Sequence, residues 1–225
     1  MADPVVQRRP LKTRSARWAV AVAAWLARSG ASPNGISLMS ILAAAGACAC
    51  FVLSAEVDAT GMRCALFVGA AVCIQLRLLC NMLDGMVAIE GGRRTATGDL
   101  YNEIPDRIAD ALVLVGAGFA ARNLWHAVDI AWGCAALAIL TAYLRALGQT
   151  HGAQALFLGP MAKPQRMAAI TLAALGAAVA VWWSRSDIVL WAALVVVAIG
   201  TAVTCVRRTR AIARHLQRES TAEHR

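Results

Sequence analysis

The stretch Asn81–Asp110, NMLDGMVAIEGGRRTATGDLYNEIPDRIAD, decides how this chain is read. It holds six of the thirteen acidic residues, and apolar runs of membrane-spanning length lie on both sides of it. Ionisable groups at membrane depth are costly, so a cluster of them points to function before it points to structure. Asn81, Asp84 and Ala88 fall at i, i+3 and i+7, on one face of a helix. Asn102, Asp106 and Asp110 follow at four-residue steps on a second helix. If these faces meet, carboxylates and amides converge on one point. Oxygen donors of that kind suit Mg2+ or Mn2+ rather than zinc. Gly85 and Gly98 remove side chains beside the acids, which lets a ligand or the other helix approach closely. Arg93 and Arg94, on the connection between the helices, are placed to hold a diphosphate.

Outside this stretch the chain is strongly apolar. It has 225 residues, 59% of them hydrophobic. Several runs approach or exceed the ~18 residues that mark a spanning helix. No alternating ten-residue strands appear, so the expected fold class is all-α integral membrane. The net charge of +9 is then explained by basic loops and tails, and nucleic acid is not an expected partner. Seven cysteines lie in or beside apolar runs without a CxxC pair, and they read as small packing residues. The polar, basic N-terminus does not read as a cleavable signal peptide.

Four regions are expected. Residues 1–12 form a disordered basic N-terminus. Residues 13–30 form an amphipathic helix in the headgroup plane, with Trp18, Val22, Trp25 and Leu26 on one face. Residues 31–206 form a membrane domain of six transmembrane helices, near 36–54, 64–89, 98–121, 126–148, 165–184 and 187–206. Residues 207–225 form a basic cytoplasmic tail. Six Arg or Lys precede residue 36 and six follow from Arg207, while Arg63, Arg122 and Arg185 fall on the opposite side. The positive-inside rule therefore puts both termini, and the acidic segment, at the cytoplasmic face.

Individual residues keep a second reading. Asp110 can pair with Arg77 or Arg107 instead of binding an ion. Arg145, Lys163 and Arg166 are candidates for a phosphate site, if the fourth span and the loop after it close over the acids. Lys163 and Arg166 can equally anchor the end of the fifth span. Arg145 lies a helical turn inside its expected boundary, which favours function.

The segment resembles the signature of the CDP-alcohol phosphotransferases, D-x2-D-G-x2-A-R-x8-G-x3-D-x3-D. Asp84, Gly85, Ala88, Gly98 and Asp106 match with every spacing preserved. Ser32-Pro33-Asn34 with Ile36-Ser37 resembles the family's entry to its first span, and Tyr143-Leu144-Arg145-Ala146 resembles its Tyr-x-Arg-Ala stretch. The resemblance covers roughly residues 13–206. It implies a phospholipid-synthesis enzyme of the bacterial inner membrane. Such an enzyme transfers a phosphatidyl group from CDP-diacylglycerol, or from another CDP-alcohol, to an alcohol or phospho-alcohol acceptor, releasing CMP. It further implies Mg2+ or Mn2+ held by Asp84 and Asp106, Asp106 as catalytic base, a nucleotide cradle at Gly85, Ala88 and Gly98, and a homodimer. Asn81, Asn102 and Ile89 depart from the pattern, which has Asp, Asp and Arg there. The two Asn can still ligate through their amide oxygens, with two negative charges fewer, and Glu103 or Asp110 can compensate. Two other readings stay open: a non-catalytic lipid- or nucleotide-binding relative, and a cation or solute transporter. The apolar outer halves of the spans weigh against the transporter.

Overall fold

A computed structural model describes residues 16–90, 98–153 and 158–223. The expected disordered segment 1–12 lies outside them. Seven α-helices run through the described residues: α1 (Arg17–Arg28), α2 (Pro33–Ser54), α3 (Thr60–Glu90), α4 (Gly98–Ala120), α5 (Ala127–Thr150), α6 (Lys163–Ala180) and α7 (Ser186–Glu223). A 3-10 turn, Val181–Trp183, follows α6, and no strand occurs among the described residues. The helix α2 starts three residues earlier than expected. Ser32 caps it by accepting the Gly35 N–H at 3.1 Å, and Pro33 suits the first turn.

Helices α2 to α7 close into a ring. Around it, α3 packs on α2, α2 on α4, α4 on α5, α5 on α7, α7 on α6, and α6 back on α3. The interior is built from small and branched side chains such as Ala44, Ala47, Ala117, Ala174, Ile74 and Leu194. Without water to drive helices together, close backbone approach supplies the packing. A Cβ on Gly116 would sit 2.8 Å from Cys48 Cα, and one on Gly118 would sit 2.3 Å from Ala131 Cβ. Gly118→Val should therefore wedge α4 from α5 and cost about 1–3 kcal/mol, read as a lower unfolding temperature in detergent. All seven cysteines are free thiols, and Cys134 is fully buried in the ring.

Five helices, α2, α3, α5, α6 and α7, are long and apolar enough to cross a membrane. The N-terminal half of α4 carries too much charge to be counted with them. Its charge faces inward: Asp106 and Asp110 are buried, while Leu100, Tyr101, Ile104 and Ile108 are exposed. Exposed Leu38, Leu42, Val72, Leu172, Val196 and Ile199 continue that apolar exterior around the ring.

Helix α7 is longer than expected. Its 38 residues run through the boundary drawn at 206. At 1.5 Å per residue it spans about 57 Å, nearly twice the ~30 Å hydrocarbon core. No Gly or Pro interrupts residues 207–223, and Ile212 is buried with Leu144 and Cys205. Helix α1 buries Ala19 and Ala23 with Met82, Leu83, Met86 and Val87 of α3, and leaves Trp18 and Trp25 exposed.

At the end of the ring away from the acidic segment, Arg63 pairs with Asp187 at 3.3 Å, and Arg122 meets Glu56 at 2.5 Å. The hydrogen bond from Arg122 holds the Glu56 carboxyl below its usual range and pushes Arg122 up. Both groups are largely exposed, so the pair ties two loops together more than it stabilises the fold.

Candidate active site

The six ring helices alternate in direction. One end of the ring therefore collects the starts of α2, α4 and α6, the ends of α3 and α5, and the middle of α7. The polar faces of α3 and α4 meet there: Asn81 Nδ2 donates to Asp106 Oδ1 at 2.6 Å. Asp84, one turn along from Asn81, is buried. Its Oδ2 accepts the Ser37 hydroxyl at 2.6 Å and its Oδ1 accepts the Gly85 N–H at 2.5 Å. Asp106 is buried too, and Lys163, the first residue of α6, donates to its Oδ2. Asn102 is half-buried one turn before Asp106, and Gly85, Ala88 and Gly98 are half-buried around the meeting point. The two faces that the sequence spacing predicts thus converge. The donor set there is two carboxylates and two amides. Among the described residues no three His, Cys, Asp or Glu side chains form a metal-holding group.

A second layer lies deeper in the ring, one turn further along α4. Asp110 is 1% exposed. Arg77 Nη2 donates to its Oδ1 at 2.5 Å, and Arg166 Nη2 donates to its Oδ2 at 2.9 Å. Arg77 Nη2 also reaches the Asp106 peptide oxygen at 3.3 Å and lies 3.5 Å from Asp106 Oδ1. Arg166 Nη1 donates to the Met161 peptide oxygen at 3.1 Å and to Thr141 Oγ1 at 3.3 Å. The sequence leaves Arg166 either in a phosphate group or as an anchor at the helix end. The structure withdraws it instead into the interior, because it stands in the first turn of α6 on the face that packs inward. Of the two partners considered for Asp110, Arg77 is the one that bonds it. Arg107 turns to Glu103, donating to its Oε2 at 2.8 Å.

Arg145 stays near the mouth, where it donates to Glu103 Oε1 and joins α5 to α4. Arg93 and Arg94 lie outside the described residues. Two participants were missing from the sequence reading of the site. Ser37, which orients Asp84, was visible as part of the entry motif to α2 without a chemical role. Arg208 is 5% exposed and donates to the peptide oxygens of Thr141 at 2.6 Å and Leu158 at 3.2 Å. Assigning residues 207–225 to a tail hid it, although it sits on the inward face of an uninterrupted helix.

No protein-family model matches the chain. Inner membrane protein YnbA of Escherichia coli is 28% identical over 142 residues, 63% of this chain and 69% of that protein. A phosphatidylinositol phosphate synthase of Streptomyces avermitilis is 27% identical over 199 residues, 85% of this chain and 76% of that protein. The phosphatidylinositol phosphate synthase of Mycobacterium tuberculosis, solved in complex with manganese and citrate, superposes with a TM-score of 0.68 at 22% identity, covering 86% of this chain and 88% of that one. The same synthase with CDP-DAG bound gives a TM-score of 0.68 at 22% identity, covering 88% and 94%. The resemblance to the CDP-alcohol phosphotransferases is thereby borne out, in sequence by the Streptomyces synthase and in fold by the solved one. The apolar helices and the inner-membrane relative make this an integral membrane protein.

Proposed function

We propose that this chain is a CDP-alcohol phosphatidyltransferase, moving a phosphatidyl group from CDP-diacylglycerol to an alcohol acceptor with release of CMP. One observation carries the reading. The Asn81–Asp106 bond at 2.6 Å joins the two helix faces of the signature, so Asp84 and Asp106 serve a single site. The likeness to synthases, one of them solved with CDP-DAG bound, supports the donor.

The residues fit a hard divalent cation. Asp84 and Asp106 offer carboxylate oxygens, and Asn102 an amide oxygen. Asn81 donates its Nδ2 to Asp106 and orients that carboxylate; it can ligate through Oδ1 only by giving that bond up. Mg2+ or Mn2+ held there would neutralise the charge that builds on the departing CMP phosphate. The chain's own groups do the rest. Ser37 and the Gly85 N–H fix the Asp84 carboxylate. Asp106 receives the acceptor's proton as that hydroxyl oxygen bonds to the phosphatidyl phosphorus, while the phosphorus–oxygen bond to CMP breaks and its electron pair leaves with CMP. Lys163 and Arg145 are placed at the mouth to hold phosphate oxygens. Gly85, Ala88 and Gly98 leave room for the nucleotide.

We further read α2 to α7 as six spans, with α4 the sixth because its charges face the ring interior. On this reading α1 lies in the headgroup plane with Trp18 and Trp25 toward lipid. The site end of the ring, with Arg207, Arg210, Arg214 and Arg218 of α7, faces the cytoplasm, as do both termini. The acceptor arrives from that side and the lipid donor from the bilayer. A homodimer follows from the family likeness alone.

The test is CMP release by purified protein in detergent, with CDP-diacylglycerol, Mn2+ and a panel of polyols and phosphopolyols. Release should stop on chelation and fall about 10- to 100-fold or more in Asp84→Asn, as expected when a metal ligand is weakened. No release with any acceptor would refute the reading.

A further inference from the structure

We propose that Asp110 is not a ligand but the centre of a positioning device, a buried Arg77–Asp110–Arg166 triad that sets the orientation of Asp106. The proposal rests on the transferase reading for its activity readout only.

The triad is costly as a source of stability. Arg77, Asp110 and Arg166 are 0%, 1% and 1% exposed. Desolvating three charges is repaid only by well-satisfied geometry, and apolar replacements of similar volume are often as stable or more so. Satisfaction here is incomplete: Arg77 Nε and Nη1 and Arg166 Nε are buried without a hydrogen-bond partner among the described residues. A purely structural contact between α3, α4 and α6 would be built more cheaply from Leu and Ala, as the rest of the ring is.

The geometry states what the triad does. Both Asp110 oxygens are taken, one by each arginine, so neither points toward the Asp84–Asp106 meeting point. Three helices contribute one member each, and this fixes the rotation of α4 against α3 and α6. Through the same Nη2 that binds Asp110, Arg77 reaches the peptide oxygen of Asp106 and its carboxylate. Asp106 is thereby held from below by Arg77 and from the side by Asn81. Groups that orient a ligand in this way commonly govern metal affinity and rate.

The test is Arg77→Met. It removes the link to Asp106 yet leaves Asp110 neutralised by Arg166, so no lone charge is stranded. Mn2+ affinity is read by the EPR signal of free Mn2+ in titrations of purified protein. The expected result is an affinity lower by about 10- to 100-fold in a protein that remains monodisperse, a fall in kcat for CMP release with the donor KM unchanged, and recovery of much of both in Arg77→Lys. If Asp110 were a ligand, freeing its Oδ1 would raise Mn2+ affinity, and that sign overturns the proposal. So does unchanged affinity and rate in folded Arg77→Met, which would leave the triad a packing feature. Should Arg77→Met not fold, Arg77→Gln, which puts a neutral polar side chain there and leaves Asp110 paired with Arg166, carries the same readouts. A wild type that binds Mn2+ but releases no CMP defeats the transferase reading while the affinity test stands.

Discussion

Asp106→Asn should cut CMP release about 10²- to 10⁴-fold, the range expected when a positioned base is lost. The change is close to isosteric, so the amide oxygen can keep the contacts to Asn81 and Arg77, while Lys163, half-buried at the mouth, turns away from the new NH2 group. The amide can neither take a proton nor offer a second charged oxygen to a cation. Rate and Mn2+ affinity should thus fall together while the unfolding temperature in detergent moves little. Asp106 is the point where α3, α4 and α6 converge, through Asn81, Arg77 and Lys163. Activity within tenfold of wild type would remove Asp106 from the chemistry and with it the proposed mechanism.

Asp110→Ala should act on the fold instead. It leaves Arg77 and Arg166 facing each other in the ring interior with no carboxylate between them. Stranding buried charge costs about 3–5 kcal/mol, a large share of the stability of most domains. The expected observation is a much lower unfolding temperature, or aggregation on solubilisation. A cost below about 1 kcal/mol would mean that the arginines are hydrated and the site is open to water from below.

Much of the architecture was legible because two periodicities speak plainly. Apolar runs near twenty residues mark spans, and four-residue steps such as Asn102, Asp106, Asp110 mark a face. The convergence of Asp84 and Asp106 follows from those faces, since polar faces in an apolar ring turn toward one another and away from lipid. The neighbour order was not legible. It depends on where small residues let backbones touch, as Gly116 does on Cys48 and Gly118 on Ala131, and a hydropathy pattern does not record which partner a glycine meets. The burial of Arg166 and Arg208 was hidden for a related reason. A basic residue near the end of a span reads as a solvent anchor, and only the packing of the helix shows that it turns inward. For Asp110, the spacing that places it on the face of Asp106 does not distinguish an ion ligand from a partner of Arg77, the two readings that the sequence leaves open.

The buried charged side chains among the described residues are three aspartates, Asp84, Asp106 and Asp110, and three arginines, Arg77, Arg166 and Arg208. Their formal charges cancel. Many metal sites are held open by like charges that only the ion reconciles, and such proteins assemble around their metal. Here Asp106 and Asp110 are already paired with Arg77, Arg166 and Lys163, and Asp84 is held by Ser37 and the Gly85 N–H, so chain insertion and helix assembly need not wait for a cation. Loading then becomes a step that follows biogenesis, set by the cation concentration that the finished protein meets.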